Sequence, residues 1–204
     1  MNIGIIGAGK IGATLAELWI KAGYAVRLAS RHPETLAGLT NRLGPSASHG
    51  TAVEAAKSGE VVVITVPLSA IPGLAAELKG MLDGKVVLDT NNAYPERDGA
   101  VAATAMADPA GTSAWAAALF PKARWVKAFN TVYYKTLAGG SPNLGIPLAS
   151  DDTGALEVAE RLVRDAGFEP VRVGALARGR EFEPGTPVYN TGMSAAEVKR
   201  HLGV

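Results

Sequence analysis

Six residues near the start of the chain, Gly7-Ala8-Gly9-Lys10-Ile11-Gly12, constrain the fold more than any other stretch. They stand between a short apolar run, Asn2 to Ile6, and a segment in which Ile11, Leu15, Leu18, Trp19 and Ala22 repeat at helical spacing. A glycine-rich turn between a buried strand and a helix has a specific use. The first glycine permits the tight turn, the second lets the backbone approach a pyrophosphate, and the third lets the helix pack near the strand. The free N–H groups at the helix start then face the anion. Gly7, Ala8, Gly9, Lys10, Ile11 and Gly12 are therefore expected to hold a dinucleotide.

The rest of the chain alternates. Ala25 to Ser30 reads as a strand and Pro33 to Leu43 as a helix; Thr51 to Lys57 is a short helix. Val61 to Val66 is a β-branched run of the kind found where both faces of a parallel sheet are covered. Helices are predicted over 71–81, 112–120 and 154–166, and strands over 85–89, 124–130, 146–150 and 169–173. This pattern predicts an α/β fold, a doubly wound, mostly parallel Rossmann sheet with helices on both faces. No repeat or linker divides it. Residues 1–183 are expected to form one nucleotide-binding domain and 184–204 an extended tail. In that tail Pro184-Gly185-Thr186-Pro187 excludes a helix, while Ser194-Ala195-Ala196-Glu197 matches a capping box that opens a short helix to about Leu202.

Composition removes several classes of function. The 20 Lys+Arg and 19 Asp+Glu leave a net charge of +1, without the basic excess of a nucleic-acid or membrane-surface protein. With no cysteine there is no disulfide framework, thiolate metal site or thiol nucleophile. The longest apolar run, Val61 to Leu68, falls far short of the roughly 20 residues of a membrane helix. The opening Met-Asn-Ile-Gly leads straight into a strand pattern, so no signal peptide and a cytoplasmic location are expected. The tail makes a homodimer plausible.

The second strand end bears on the choice of dinucleotide. An NAD site places Asp or Glu there, on the ribose 2′-hydroxyl. This chain has Ser30-Arg31-His32, a hydroxyl and a guanidinium before a helix start, which suit a 2′-phosphate and hence NADP(H). The other strand ends carry Thr65-Val66-Pro67, Asn91-Asn92 and Asn130-Thr131. Ligands of open α/β sheets bind beyond such ends. Asn91 and Asn92 read equally as turn residues, and Lys127 equally as an ion-paired packing residue. His32, His49 and His201 lie apart, without metal spacing or a nucleophile nearby. A site poor in acid–base groups suits hydride transfer between nicotinamide and a flavin-like ring, which needs mainly stacking and distance.

Further stretches carry a resemblance: Ser113 to Pro121, Val126-Lys127-Ala128-Phe129-Asn130, Pro147 to Asp152, Ala166 to Pro170 and Val173 to Ala177. With the glycine loop, Ser30-Arg31 and Thr65-Val66-Pro67, they make residues 1–183 resemble two groups. These are the NADPH-dependent deazaflavin (coenzyme F-420) reductases and the oxidoreductase domain of the six-transmembrane metalloreductases. The resemblance implies an NADP-binding oxidoreductase with a flavin or deazaflavin as the small-molecule acceptor. It implies that the acceptor ring stacks on the nicotinamide near Asn130 and Thr131. The deazaflavin reductases have a histidine where this chain has Asn130, and they continue with an apolar helix where it has Pro184 to Asn190. Two alternatives stay open: a reductase of small carbonyl or imine compounds, and a non-catalytic NADPH sensor.

Overall fold

Asn2–Ile6 forms the first strand, β1, buried from Ile3 onward. Lys10–Lys21 is helix α1, Ala25–Ala29 strand β2, Ala37–Leu43 helix α2 and Ala47–Gly50 strand β3. Ala52–Ser58 is α3, opened by a capping box between Thr51 and Glu54, and Val61–Ile64 is β4. Ile71–Glu77 (α4), Val86–Asp89 (β5), Pro95–Met106 (α5), Thr112–Ala118 (α6) and Arg124–Lys127 (β6) follow. Tyr134–Gly139 (α7), Gly145–Ala149 (β7), Thr153–Asp165 (α8), Glu169–Gly174 (β8) and Ala195–Leu202 (α9) complete the order. These elements come from a computed structural model that describes residues 1–204.

The strands make one eight-stranded sheet in the order β3-β2-β1-β4-β5-β6-β7-β8. All neighbours are parallel except β6 and β7. The alternation sorts side chains to two cores. Ile3, Ile5, Val61, Val63, Val86 and Leu88 face α1 and α8, whereas Ile6, Val62, Ile64 and Val87 face α3 to α6. A strand with both faces covered has no polar position to spare, which is why β4 reads Val-Val-Val-Ile. Trp19 of α1 is fully buried, and its indole N–H donates to the Leu162 carbonyl of α8 at 2.9 Å. That bond lets the largest core side chain enter without stranding a polar group.

Beyond β8, a 3-10 segment, Leu176–Phe182, crosses back beneath β6 and β7, and α9 packs on β7 and β8. Phe182, Val188, Val198 and Leu202 form a third, smaller core with Val171 and Val173. The capping box read at Ser194 is formed, with Glu197 as its partner. No helix is long and apolar enough to cross a membrane.

The structure departs from the sequence reading in places. His49 lies on strand β3, which the sequence pattern does not mark, and its Nδ1 meets the Thr40 hydroxyl at 2.9 Å. Helices α5 and α7 add to the predicted set. The run read as a strand to Asn130 ends at Lys127, because Phe129 adopts a left-handed backbone (φ 60°) that no strand continues.

Candidate functional site

The strand ends at one edge of the sheet open onto a groove with two lobes. They share Gly9, Thr65, Val66 and Pro67. The larger lobe, about 860 Å³, reaches from Gly7 and Ala8 to Ser30 and Arg31 and along α4. The smaller, about 480 Å³, is lined by Lys10 and Ile11, by Asn91, Asn92 and Asn130, and by Tyr94, Tyr133, Tyr134 and Tyr189.

The three loop glycines do different work. A Cβ on Gly7 would lie 2.3 Å from the Thr65 carbonyl oxygen, on a backbone at φ +108°. One on Gly12 would lie 2.0 Å from the Gly7 carbonyl oxygen. Both are required by the protein itself, since helix and strand approach too closely for a side chain. Gly9 is different: its Cβ would meet no protein atom within 4 Å, and its backbone is extended (φ −72°, ψ −167°). The space it leaves free is the groove. Gly9 also caps α1 without any side-chain hydrogen bond, and no acidic residue occupies the first turn. The N–H groups there are free for an anion.

In the larger lobe Arg31 is exposed and lines the wall with Ser30, whose hydroxyl accepts the His32 N–H at 3.2 Å. Glu77, on the last turn of α4, is the one carboxylate in the lining. His32 stands outside it; its ring points to Glu34, 3.6 Å away, with three quarters of its side chain in solvent.

The floor of the smaller lobe is three buried asparagines. The Asn92 Nδ2 donates to the Asn130 carbonyl at 2.9 Å, and the Asn130 Nδ2 donates to Asn92 Oδ1 and the Phe182 carbonyl, each at 3.0 Å. The Asn91 N–H donates to Asp89 Oδ1 at 2.9 Å, the turn expected of such a residue, yet neither side-chain atom of Asn91 has a partner. Asn130 Oδ1 is also unpartnered. A buried amide without partners costs on the order of 1–3 kcal/mol, which makes these atoms candidates to meet a group that enters the groove. The left-handed Phe129, its ring edge-on to Trp19 at 5.9 Å between centroids, turns the chain so that Asn130 faces the floor. Strain of this kind on an aromatic residue is held in place by its surroundings and gathers at functional sites. Thr131 is buried but does not line either lobe; its carbonyl accepts the Asn190 N–H at 2.9 Å.

Beneath the floor lie buried charges. Lys127, fully buried, donates to the Asn91 carbonyl at 3.1 Å and pairs with Glu183 Oε1 at 3.3 Å. Burial raises the Asp89 carboxyl above the usual range, opposed by Lys127 and by hydrogen bonds from Ser113, Asn91 and Trp125.

Asp98 joins the rims of the two lobes. It accepts N–H bonds from Ser69 and Tyr94, both at 3.1 Å, and pairs with Arg97 at 2.7 Å. Burial by itself would raise its pKa; the Arg97 bonds and the two N–H groups outweigh this and hold it at about 2. A depressed carboxylate stabilises the fold above its unfolded pKa, near 3.9, and that stability is lost as the pH falls toward 2. Urea unfolding followed from pH 5 to 2 is expected to show wild type losing about 2 kcal/mol more than Asp98→Asn. Parallel losses would remove Asp98 from this role.

Sequence reasoning missed Arg97, Tyr189 and Asn190. Arg97 stands on a helix not predicted, and the other two lie in a tail whose local sequence says nothing of where it folds back.

Residues 2–93 match the family described as NADP oxidoreductase coenzyme F420-dependent. An F420-dependent NADP reductase of Methanothermobacter thermautotrophicus is 30% identical, over 92% of this chain and 87% of that protein. The rat metalloreductase STEAP3 is 29% identical over 89% of this chain, which spans only 36% of that longer protein. Among solved structures, a hypothetical protein of Sinorhizobium meliloti superposes with a TM-score of 0.81 at 28% identity, over 95% of both chains.

Proposed function

The chain belongs to the family of coenzyme F420-dependent NADP oxidoreductases, and we propose that it is an NADP-dependent oxidoreductase that passes hydride between NADP(H) and a flat conjugated ring of the deazaflavin or flavin class. One observation carries the reading: the groove divides at Gly9 into a lobe with a free guanidinium and a lobe with an aromatic wall over unpartnered amides. The first suits a phosphorylated adenosine, the second a carboxamide-bearing ring with another ring upon it.

In this reading Gly7 to Gly12 receive the pyrophosphate on the start of α1, and Ser30 and Arg31 take the 2′-phosphate. Thr65, Val66 and Pro67 line the waist between the lobes. Asn91 and Asn130 offer a donor and acceptors to the nicotinamide carboxamide, with Asn92 bracing Asn130. The nicotinamide, when bound, supplies the hydride. The residues orient it and leave the acceptor face to the tyrosines.

The test is oxidation of NADPH, followed at about 340 nm, with coenzyme F420, riboflavin, a quinone and small aldehydes offered in turn. Turnover with the ring compounds is expected; turnover with aldehydes alone would sink the proposal. Arg31→Ala is expected to weaken NADPH by about 1.5–3 kcal/mol and to leave NADH within about twofold. An equal loss for both would displace the 2′-phosphate from Arg31.

A further inference from the structure

The C-terminal tail completes the acceptor lobe. Tyr189 reaches back to place its hydroxyl against that of Tyr94, across 95 residues of sequence. Its neighbour Asn190 holds a left-handed backbone (φ 56°), pinned by its N–H to the Thr131 carbonyl at 2.9 Å. Arg97 stacks over the Tyr94 ring, its guanidinium carbon 4.7 Å from the centroid. Tyr94, Tyr189 and Arg97 all line the same lobe as Asn130.

The hydrogen count of this wall is informative. Two phenols that share one hydrogen bond use one hydrogen and keep one free. The Arg97 Nε and Nη2 are committed to Asp98 and the Asn92 carbonyl, while Nη1 makes no bond within the protein. The wall therefore presents uncommitted donors, among them Nη1 of a guanidinium whose paired carboxylate, Asp98, lies behind the lobe's lining. Burial and the hydrogen bond shared with Tyr94 push the Tyr189 hydroxyl well above its ordinary pKa, so it stays protonated.

The geometry points to a role for Tyr94, Tyr189 and Arg97 as the surface that receives the negative charge created on the acceptor when the hydride arrives. This inference rests on the hydride-transfer reading above. In the step, a C–H bond of the reduced nicotinamide breaks with its electron pair and a bond to that hydrogen forms on the acceptor ring. The nicotinamide is oxidised and the ring is reduced by two electrons. The ring leaves the step as an anion, its charge spread onto a conjugated oxygen or nitrogen. The phenol hydrogen and the guanidinium bind that atom, and water later supplies its proton. Donors aimed where charge develops stabilise the transition state more than the ground state. The wall thus selects acceptors that delocalise charge onto a heteroatom at the ring edge.

The double variant Tyr94→Phe, Tyr189→Phe keeps both rings and removes both hydroxyls. Calorimetric titration with oxidised and with reduced coenzyme F420 is the first readout. Affinity for the reduced anion is expected to fall about 10–100-fold and that for the oxidised ring about twofold or less. Single-turnover hydride transfer should slow by a similar factor, with NADPH affinity and melting temperature held. Each single variant keeps one free hydrogen and should lose less. Equal loss for the two redox forms, unchanged transfer, or a joint fall in NADPH affinity and melting temperature would each overturn the inference. A wild-type protein that binds NADPH but reduces no ring compound would remove the parent reading, and this one with it.

Discussion

Gly9→Ala is expected to leave the protein folded and to weaken NADPH and NADH alike by about 100-fold or more, near 3 kcal/mol. The reason is the empty space around that Cβ: no protein atom lies within 4 Å, and the extended backbone accepts alanine. An added methyl meets nothing until a ligand lies against the start of α1. Gly12→Ala should do the reverse. Its methyl would sit 2.0 Å from the Gly7 carbonyl oxygen, so helix α1 must move off β1, at a cost of roughly 3 kcal/mol or more in stability. Thermal melts and cofactor titrations of the two variants separate the roles. A Gly9→Ala protein that melts like wild type and binds NADPH normally would remove the pyrophosphate from this turn. A Gly12→Ala protein of unchanged stability would contradict the close approach of α1 to β1.

This division of labour within one motif shows what a sequence can and cannot disclose. The spacing Gly7, Gly9, Gly12 between a strand and a helix is legible because the turn is local. Which glycine serves the fold and which the ligand is not, since the Cβ environments come from Thr65 and from the groove. The central strands are legible for a similar reason: with both faces buried, β4 and β5 have to be apolar. Strand β3 escapes notice because it is a polar edge strand, Ala-Ser-His-Gly, bonded only to β2. Helix α5 escapes because it opens Pro-Glu-Arg-Asp-Gly and carries a non-helical Gly99. Its loss hides Arg97, and the distance in sequence between Tyr94 and Tyr189 hides the other half of the acceptor wall. Asn130 is legible as a polar residue at an apolar strand end; that its Oδ1 and the Asn91 amide lack partners is visible only in three dimensions.

Lys127→Met is expected to cost about 3–5 kcal/mol of stability, the usual result of removing one member of a buried ion pair. Lys127 is fully buried, and its stem runs past Gly179, where a Cβ would lie 2.7 Å from the lysine Cδ. Its ammonium meets Glu183 Oε1 at 3.3 Å, and that oxygen also accepts the Thr112 N–H and hydroxyl. Methionine fills the stem but supplies no charge, so Glu183 is left with neutral donors and the nearby Asp89 loses the cation that opposes its burial. For a chain of this length a loss of that size lowers the melting temperature by roughly 10 °C. The exposed pair Lys122–Asp83, at 3.4 Å, is the control: Lys122→Met should cost about 1 kcal/mol or less. Pairing Lys127→Met with Glu183→Gln should recover part of the loss, because the stranded carboxylate then becomes neutral. The lysine also donates to the Asn91 carbonyl, so the variant should bind NADPH more weakly even well below its melting temperature. Retained stability would mean that the Lys127–Glu183 contact is not a pair in solution. A loss of stability with NADPH affinity intact would mean that Asn91 is held in place by its Asp89 bond without the lysine.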